Sequence, residues 1–142
     1  MVLRVLIISF VIFLNQIHSQ AQLNVTFRYI ERPEDDFLRV FVPGEMNNWG
    51  PNSSGFINPT AISLMELDAS TDSYVKSYSL NIGQQYLYKI HFHYNNSGSN
   101  YAWISDPLNP LSTNDQWENS ILNITGPLFF STCQAHESRR NG

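Results

Sequence analysis

The sequence predicts an all-β protein, an antiparallel sandwich of two layers and about seven short strands. Three observations lead to this prediction. Apolar and polar residues alternate with period two over short runs, and no stretch of about eleven residues has helical periodicity. Clusters of Gly, Pro, Asn and Asp separate these runs, as turns separate the strands of a sandwich. The chain also has 9 Phe, 7 Tyr and 3 Trp, which are enough large apolar side chains for one core.

The strand pattern recurs in seven segments: residues 24–29, 37–42, 62–67, 74–80, 85–94, 101–104 and 120–124. In the first, Val25, Phe27 and Tyr29 share a face, and in the second Leu38, Val40 and Val42 do so. Segments 62–67 and 74–80 are expected to pair as a hairpin, and residues 43–59 to form a loop rich in Gly, Pro and Asn.

The alternation is strongest in residues 85–94, which predicts one buried face and one solvated face. Lys89, His91 and His93 fall on the face opposite the aromatic residues. If the aromatic residues fill the core, the ammonium group of Lys89 is free to meet a ligand.

Residues 1–21 have the composition of a secretory signal peptide. Arg4 supplies a positive charge, residues 5–14 are almost all apolar, and the small residues Ser19 and Ala21 fit a cleavage site. The apolar run is much shorter than the about 20 residues of a membrane-spanning helix, so cleavage is favoured over a retained anchor. We therefore expect a secreted or periplasmic protein with one domain over residues 22–126. Residues 127–142 are expected to be a linker or a disordered tail.

Charge and cysteine content exclude several classes of function. Without the leader, the chain keeps 7 basic and 12 acidic residues. It has no basic patch, which argues against binding to nucleic acid or to an anionic membrane. The single cysteine, Cys133, cannot form a disulfide within the chain, so the core must be stable through burial alone.

No segment carries the residues of a recognisable active site. The sequence lacks a Gly-x-Ser-x-Gly motif and a phosphate-binding glycine loop. The acidic run at residues 34–36 is interpreted as a solvated turn rather than as the carboxylate pair of a glycosidase. His91 and His93 lack an evident third metal ligand, and they are assigned to a solvated strand face. We therefore expect no catalysis, no cofactor and no metal site.

Three motifs occur in order along the chain. They are Gly-Glu-Met-Asn-Asn-Trp at residues 44–49, Tyr-Leu-Tyr-Lys-Ile at residues 86–90 and Trp-Ile-Ser-Asp-Pro at residues 103–107. Together they resemble the Gly-x-Phe/Met-Asn-x-Trp loop, the Tyr-x-Tyr-Lys-Phe strand and the Trp-x-x-Asp-Pro turn of family-48 carbohydrate-binding modules. That family of early-set, immunoglobulin-like domains includes the glycogen-binding module of the AMP-activated kinase β subunit and N-terminal domains of branching, debranching and amylase-type enzymes. The resemblance covers residues 24–126.

The resemblance implies roles for four residues. Trp49 and Trp103 would form a platform on which a sugar stacks, and Lys89 and Asn119 would bond to its hydroxyl groups. The chemistry fits, because a pyranose has an apolar face that packs on an indole and a rim of hydroxyls that needs polar partners. The alternative for both tryptophans is packing at the sandwich edge. Trp117 has no counterpart in the family. Two roles are open for it, extension of the platform and packing, and packing is favoured.

Two further features modify this expectation. The Asp-Pro pair at residues 106–107 is interpreted as an architectural turn. Where kinase-type modules have an apolar residue that threads the sugar ring, residues 114–116 are Asn-Asp-Gln, which favours a flatter and weaker contact. Sequons for N-glycosylation, relevant only in a host that glycosylates secreted proteins, begin at Asn24, Asn52, Asn95 and Asn123.

The function implied is a non-catalytic module that binds or positions an α-glucan such as starch or glycogen. It would resemble the N-terminal domain of a secreted glycoside hydrolase of family 13 or of a branching-type enzyme. The catalytic partner domain is not in this sequence, and both a truncated gene and a standalone module remain open. The alternatives are a spacer that packs on a catalytic domain without touching sugar, and a module that precedes an esterase.

Overall fold

The computed structural model describes residues 20–33 and 35–126. The predicted tail and the signal peptide, apart from residues 20 and 21, lie outside the described residues. Within them, no helix is long and apolar enough to cross a membrane. The elements are β1 (Gln22–Tyr29), β2 (Arg39–Phe41), a 3-10 turn (Glu45–Asn47), β3 (Asn52–Ser53), β4 (Phe56–Ile57), β5 (Glu66–Asp68), β6 (Ser73–Asn81), β7 (Gln85–Tyr88), β8 (Ile90–His93), β9 (Tyr101–Ile104) and β10 (Ser120–Asn123).

These strands form an all-β, immunoglobulin-like antiparallel sandwich, as the sequence predicts. One layer has the strand order β1–β6–β5, and its long pair runs from Gln22 opposite Asn81 to Tyr29 opposite Tyr74. The other layer contains β2–β8–β9 and the pair β10–β7. These two groups of strands are assigned to one layer because only Lys89 separates β7 from β8 along the chain.

Aromatic side chains join the two layers. Phe27 of β1 meets Tyr88 edge to face with ring centroids 5.0 Å apart, and Tyr29 meets Phe92 at 5.2 Å. The predicted inward face of the first strand is therefore confirmed for Phe27 and Tyr29, and burial of each such ring contributes roughly 1.5–3 kcal/mol. The buried cluster consists of Phe27, Tyr29, Phe37, Val40, Val42, Met65, Tyr88, Ile90 and Phe92.

The predicted second strand is only partly correct. Val40 and Val42 are buried, but Leu38 is 53% exposed, while Phe37 and Phe41 on the supposed outer face are buried. Regular strand structure begins at Arg39, so the alternation does not extend back to Leu38. Phe41 is buried because β2 is covered on both of its faces.

The hairpin and the long loop also differ in detail from the prediction. β5 pairs with β6, with Leu67 opposite Tyr74, but the hairpin is shorter than predicted and Ile62 is 61% exposed. The loop at residues 43–59 contains the 3-10 turn and a small hairpin, β3–β4, with Asn52 opposite Ile57. This hairpin lies over the outer face of the β2–β8–β9 sheet.

Candidate functional site

One groove of about 730 Å³ collects the residues that the sequence singled out. Trp49, Lys89, Trp103 and Asn119 all line it, although they come from four separate segments of the chain. Its volume lies within the roughly 300–1,000 Å³ of typical small-molecule sites. The other lining residues are Asn52, Gly55, Tyr101, Gln116 and Trp117, so that all three tryptophans of the sequence meet there.

A buried asparagine shapes the loop that carries the first tryptophan. Asn47 Oδ1 accepts hydrogen bonds from the backbone N–H groups of Gly44 at 3.0 Å and Gly50 at 2.9 Å. Its Nδ2 donates to Val42 O at 2.7 Å and to Tyr78 Oη at 2.8 Å. All four hydrogen-bonding positions of the amide are therefore used, which fixes the loop in one conformation.

Trp49 follows this asparagine in a strained backbone conformation. Its φ of 58° lies in the left-handed region, which costs a non-glycine residue about 1–3 kcal/mol. Its N–H donates to Gly44 O at 2.8 Å, and its carbonyl accepts a bond from Asn52 Nδ2 at 2.9 Å. The surrounding hydrogen bonds thus hold the strained residue with its partly exposed indole in the groove wall.

Close backbone packing brings the Trp49 loop beside Lys89. A Cβ atom at Gly44 would lie 2.6 Å from Leu87 O and 2.8 Å from Tyr88 Cβ, so only glycine lets the loop lie against β7. The backbone N–H of Lys89 donates to Pro43 O at 2.9 Å. The first and second sequence motifs are therefore in direct contact.

The third motif is tied to the second through a buried tyrosine. Tyr88 Oη donates to Asp106 Oδ2 at 2.8 Å, and burial raises the pKa of Tyr88, with Asp106 adding to the rise. Asp106 Oδ1 accepts from Leu108 N at 2.9 Å, and Asp106 N donates to Ser120 Oγ at 2.7 Å. The interpretation of the Asp-Pro pair as an architectural turn is confirmed.

Trp103 is held on two sides. Its Nε1–H donates to Gly55 O at 2.9 Å. Ser54 and Gly55 have φ angles of 53° and 89°, and positive φ at both central residues is typical of the tight turn of a two-residue hairpin. The Trp103 ring also lies 4.5 Å from the ring of His91, centroid to centroid. Trp103 is partly buried, so it both packs on the sheet and lines the groove.

Lys89 and Asn119 present polar groups to the same groove. Partial burial lowers the pKa of Lys89, while the nearby carboxylates of Glu118 and Asp115 act in the opposite direction. The backbone of Asn119 pairs with Thr113, through Asn119 N to Thr113 Oγ1 at 2.9 Å and Thr113 N to Asn119 O at 2.8 Å. Among the described residues, neither the Lys89 ammonium nor the Asn119 side-chain amide takes part in a hydrogen bond or salt bridge.

The favoured interpretation of Trp117, that it packs, is wrong. Its side chain is 63% exposed and lines the groove. The residue sits on a turn organised by Asp115, whose Oδ1 accepts from Trp117 N at 2.9 Å and from Glu118 N at 3.1 Å. Tyr101, 37% exposed, also lines the groove, and its sequence context does not indicate this role. The Asn-Asp-Gln turn before Trp117 was the available signal that this indole leaves the core.

The prediction of a solvated face for His91 and His93 is also wrong. Both side chains are fully buried, at 0% exposure, and all four of their ring nitrogens lack a hydrogen-bond partner within the described part of the chain. His91 packs against Tyr101 at 5.4 Å, and His93 against Phe41 at 4.6 Å and Phe56 at 5.9 Å, centroid to centroid.

The burial of this histidine pair keeps both rings neutral at pH 7. Burial lowers the pKa of His91 to about 3, and the neighbouring His93 acts in the same direction. Burial also lowers the pKa of His93, aided by Arg39. The backbone of Ile57 lies near the His93 ring and opposes the lowering of the His93 pKa. It forms no hydrogen bond of normal geometry with that ring. In the described residues, no group of three or more His, Cys, Asp or Glu side chains is arranged to hold a metal ion.

Of the acidic run at residues 34–36, the structure describes Asp35 and Asp36, and the carboxylate of Asp35 is not solvated, in contrast to the interpretation of the run as a solvated turn. Asp35 is only 9% exposed at its side chain and forms a salt bridge with Arg32 at 2.9 Å. Tyr29 Oη donates to the same carboxylate at 2.7 Å. Although burial alone would raise it, the pKa of Asp35 is lowered by the bonds from Arg32 and Tyr29. Glu34 lies outside the described residues. Asp35 is therefore a structural residue, and it is not part of the groove.

A scan against protein-family models finds no match for this sequence, and a search of curated proteins also finds none.

Proposed function

We propose that this chain is a non-catalytic module that binds α-glucan in the groove of the three tryptophans. The observation that supports the proposal most directly is the meeting of Trp49, Lys89, Trp103 and Asn119 in one groove. The sequence resemblance assigned a sugar contact to each of these residues separately. Residues brought together from separate segments around one concave surface are the usual composition of a ligand site.

The chemistry of the lining suits a neutral, polyhydroxylated ligand. The indoles of Trp49 and Trp103 offer apolar surface for the C–H face of a glucose ring. Lys89, Asn119 and Gln116 offer donors and acceptors for its hydroxyl groups. The single cation of the lining is offset by the nearby carboxylates of Asp115 and Glu118. This balance of charge favours an uncharged sugar over an anionic ligand.

The partly buried state of Trp49 and Trp103 bears on the alternative of a spacer domain. A spacer needs its tryptophans buried or set in a flat apolar face, whereas these two line a concave groove together with polar side chains. We propose that the module acts as the accessory domain of a secreted enzyme that acts on α-glucan. If no sugar binds in the test below, the result supports the spacer instead.

The test is a titration with maltoheptaose and β-cyclodextrin, in which binding is measured by calorimetry and by tryptophan fluorescence. Cellohexaose, with β linkages, is the ligand control. We expect binding of the α-linked sugars only, and a ligand at 100 times its Kd should add about 2.7 kcal/mol to the free energy of unfolding. Trp49→Ala should lose binding. Tyr94→Ala, which removes an aromatic side chain that is 39% exposed outside the groove, should bind as the parent does. A folded parent that binds neither α-linked sugar would decide for the spacer.

A further inference from the structure

Trp117 exposes more of its surface than any other aromatic side chain of the groove. It is 63% exposed, whereas Tyr101 is 37% exposed and Trp49 and Trp103 are partly buried. An indole that stays in water contributes little hydrophobic free energy to folding, whereas a covered aromatic side chain buries roughly 150–250 Å². An exposed indole beside polar groove residues is therefore unlike a core residue and like a contact that awaits a ligand.

The turn that carries Trp117 is firmly built despite this exposure. Asp115 Oδ1 accepts three hydrogen bonds, from Thr113 Oγ1 at 2.9 Å, Trp117 N at 2.9 Å and Glu118 N at 3.1 Å. These bonds, led by the one from Thr113, lower the pKa of Asp115. Ser105 Oγ donates to Glu118 O on the other side of the turn.

Glu118 completes this turn in a conformation that a non-glycine residue seldom adopts. Its φ is 47°, in the left-handed region, and such a conformation persists only when its surroundings hold it. The backbone at residues 115–119 is thus fixed by bonds to Thr113 and Ser105, while the side chain of Trp117 remains exposed to solvent. A preordered backbone lowers the entropy that binding would otherwise lose.

We propose that Trp117 is a third aromatic contact for the glucan and determines its preference for longer chains. This inference rests on the proposed function. The partly buried indoles of Trp49 and Trp103 contact the first glucose ring. Trp117 lines the same groove with a more exposed indole, so a glucan that continues beyond the first rings packs on it. The glucan then has an aromatic contact in addition to the flat one expected from residues 114–116.

The experiment compares the parent, Trp117→Ala and Trp117→Phe in titrations with maltotriose and maltoheptaose. We expect Trp117→Ala to weaken maltoheptaose binding by about tenfold, near the upper end for one aromatic contact. The loss for maltotriose should be clearly smaller. Trp117→Phe keeps an aromatic ring and should retain most of the affinity. Because the side chain is exposed, Tm should change by no more than about 2 °C.

A measurement on the parent protein complements these variants. Acrylamide quenches exposed tryptophans preferentially, so saturation with maltoheptaose should reduce quenching as Trp117 is covered. Unchanged quenching, or equal maltoheptaose affinity of Trp117→Ala and the parent, would overturn the inference and leave glucan binding intact. A parent that binds no α-linked sugar would instead refute the proposed function and, with it, this inference.

Discussion

The indole of Trp103 lies against the imidazole of His91, with ring centroids 4.5 Å apart and ring planes inclined by 56°. One wall of the groove is therefore supported by a neutral histidine that is fully buried. His93 lies next to it at 5.0 Å, centroid to centroid. The β3–β4 hairpin, whose Gly55 accepts the Trp103 N–H, covers the pair. Protonation of either ring would place a charge beneath both the hairpin and the groove wall.

The first prediction is a loss of stability in mild acid. The folded pKa of His91 is about 3 and the unfolded value is about 6.5, so between these values the unfolded chain binds the extra proton. Stability is then fully present above pH 6.5 and falls as the pH decreases, by up to about 1.4 kcal/mol per pH unit for each histidine. His93, whose pKa is also lowered, adds to the effect. The measurement is Tm by circular dichroism at pH 7, 6 and 5.

The control for this prediction is the His91→Leu, His93→Leu double variant. It removes the groups that titrate, and its Tm should vary much less between pH 7 and 5. The lowered pKa values of Asp35, Asp68 and Asp115 place the titration of these carboxylates below that window. Among the described residues, two other ionisable groups face the pair: Arg39 acts on His93, and the ring of Tyr101 lies against His91. Parallel Tm curves for parent and double variant would contradict the argument.

The second prediction concerns Asn47. Replacement by Ala removes four hydrogen bonds and leaves backbone groups of the loop unsatisfied, each at a cost of about 1–3 kcal/mol if it stays buried. We expect the free energy of unfolding to fall by at least about 2 kcal/mol. Glucan affinity should fall as well, because Trp49 loses its support. Urea denaturation measures the first effect and calorimetry the second. Asn114→Ala, at an exposed position, is the matched control, and an equally small change in both variants would disprove the role of Asn47.

The third prediction distinguishes the two partly buried tryptophans of the groove, Trp49 and Trp103. Trp103→Ala removes the bond to Gly55 O and the contact with His91, so it should cost about 1–3 kcal/mol, less than the about 3–5 kcal/mol of a fully buried tryptophan. Trp49→Ala removes a side chain without a described hydrogen bond and should cost less. Both variants should lose glucan binding. Equal stability of the two variants in urea would show that Trp103 does not support the hairpin.

The fourth prediction is that the purified chain releases no reducing sugar from starch, glycogen or pullulan. None of the nine residues that line the groove is an Asp or Glu, whereas a glycosidase generally needs two carboxyl groups beside the scissile bond. The measurement is a reducing-sugar assay on protein purified by two independent schemes. Activity that follows the protein through both schemes would contradict the prediction.

The sequence predicts the groove better than it predicts what lies behind it. The motifs contain the residues that hold the groove together, namely Gly44, Asn47 and Tyr88, whose contacts are with the motifs and the adjoining strands. For this reason the motifs alone are enough to indicate Trp49 and Lys89. Alternation identifies the two faces of β8, but not whether the outer face is covered. That depends on how the loop at residues 43–59 folds back, and such tertiary contacts have no local signature. The assignment of the histidines to solvent fails for this reason. For Trp117, by contrast, the polar turn at residues 114–116 is a local sign of exposure that the favoured packing interpretation does not use.

The position of Asn52 in the groove has a consequence for how this protein is produced. Its Nδ2, which donates to Trp49 O, is also the acceptor atom of an Asn-Ser-Ser sequon. In a host that modifies secreted chains, an oligosaccharide attached there would compete with this hydrogen bond and crowd the mouth of the groove. The same polypeptide would then bind soluble glucan when made in a bacterium and be obstructed by its own covalent sugar when made in a glycosylating cell.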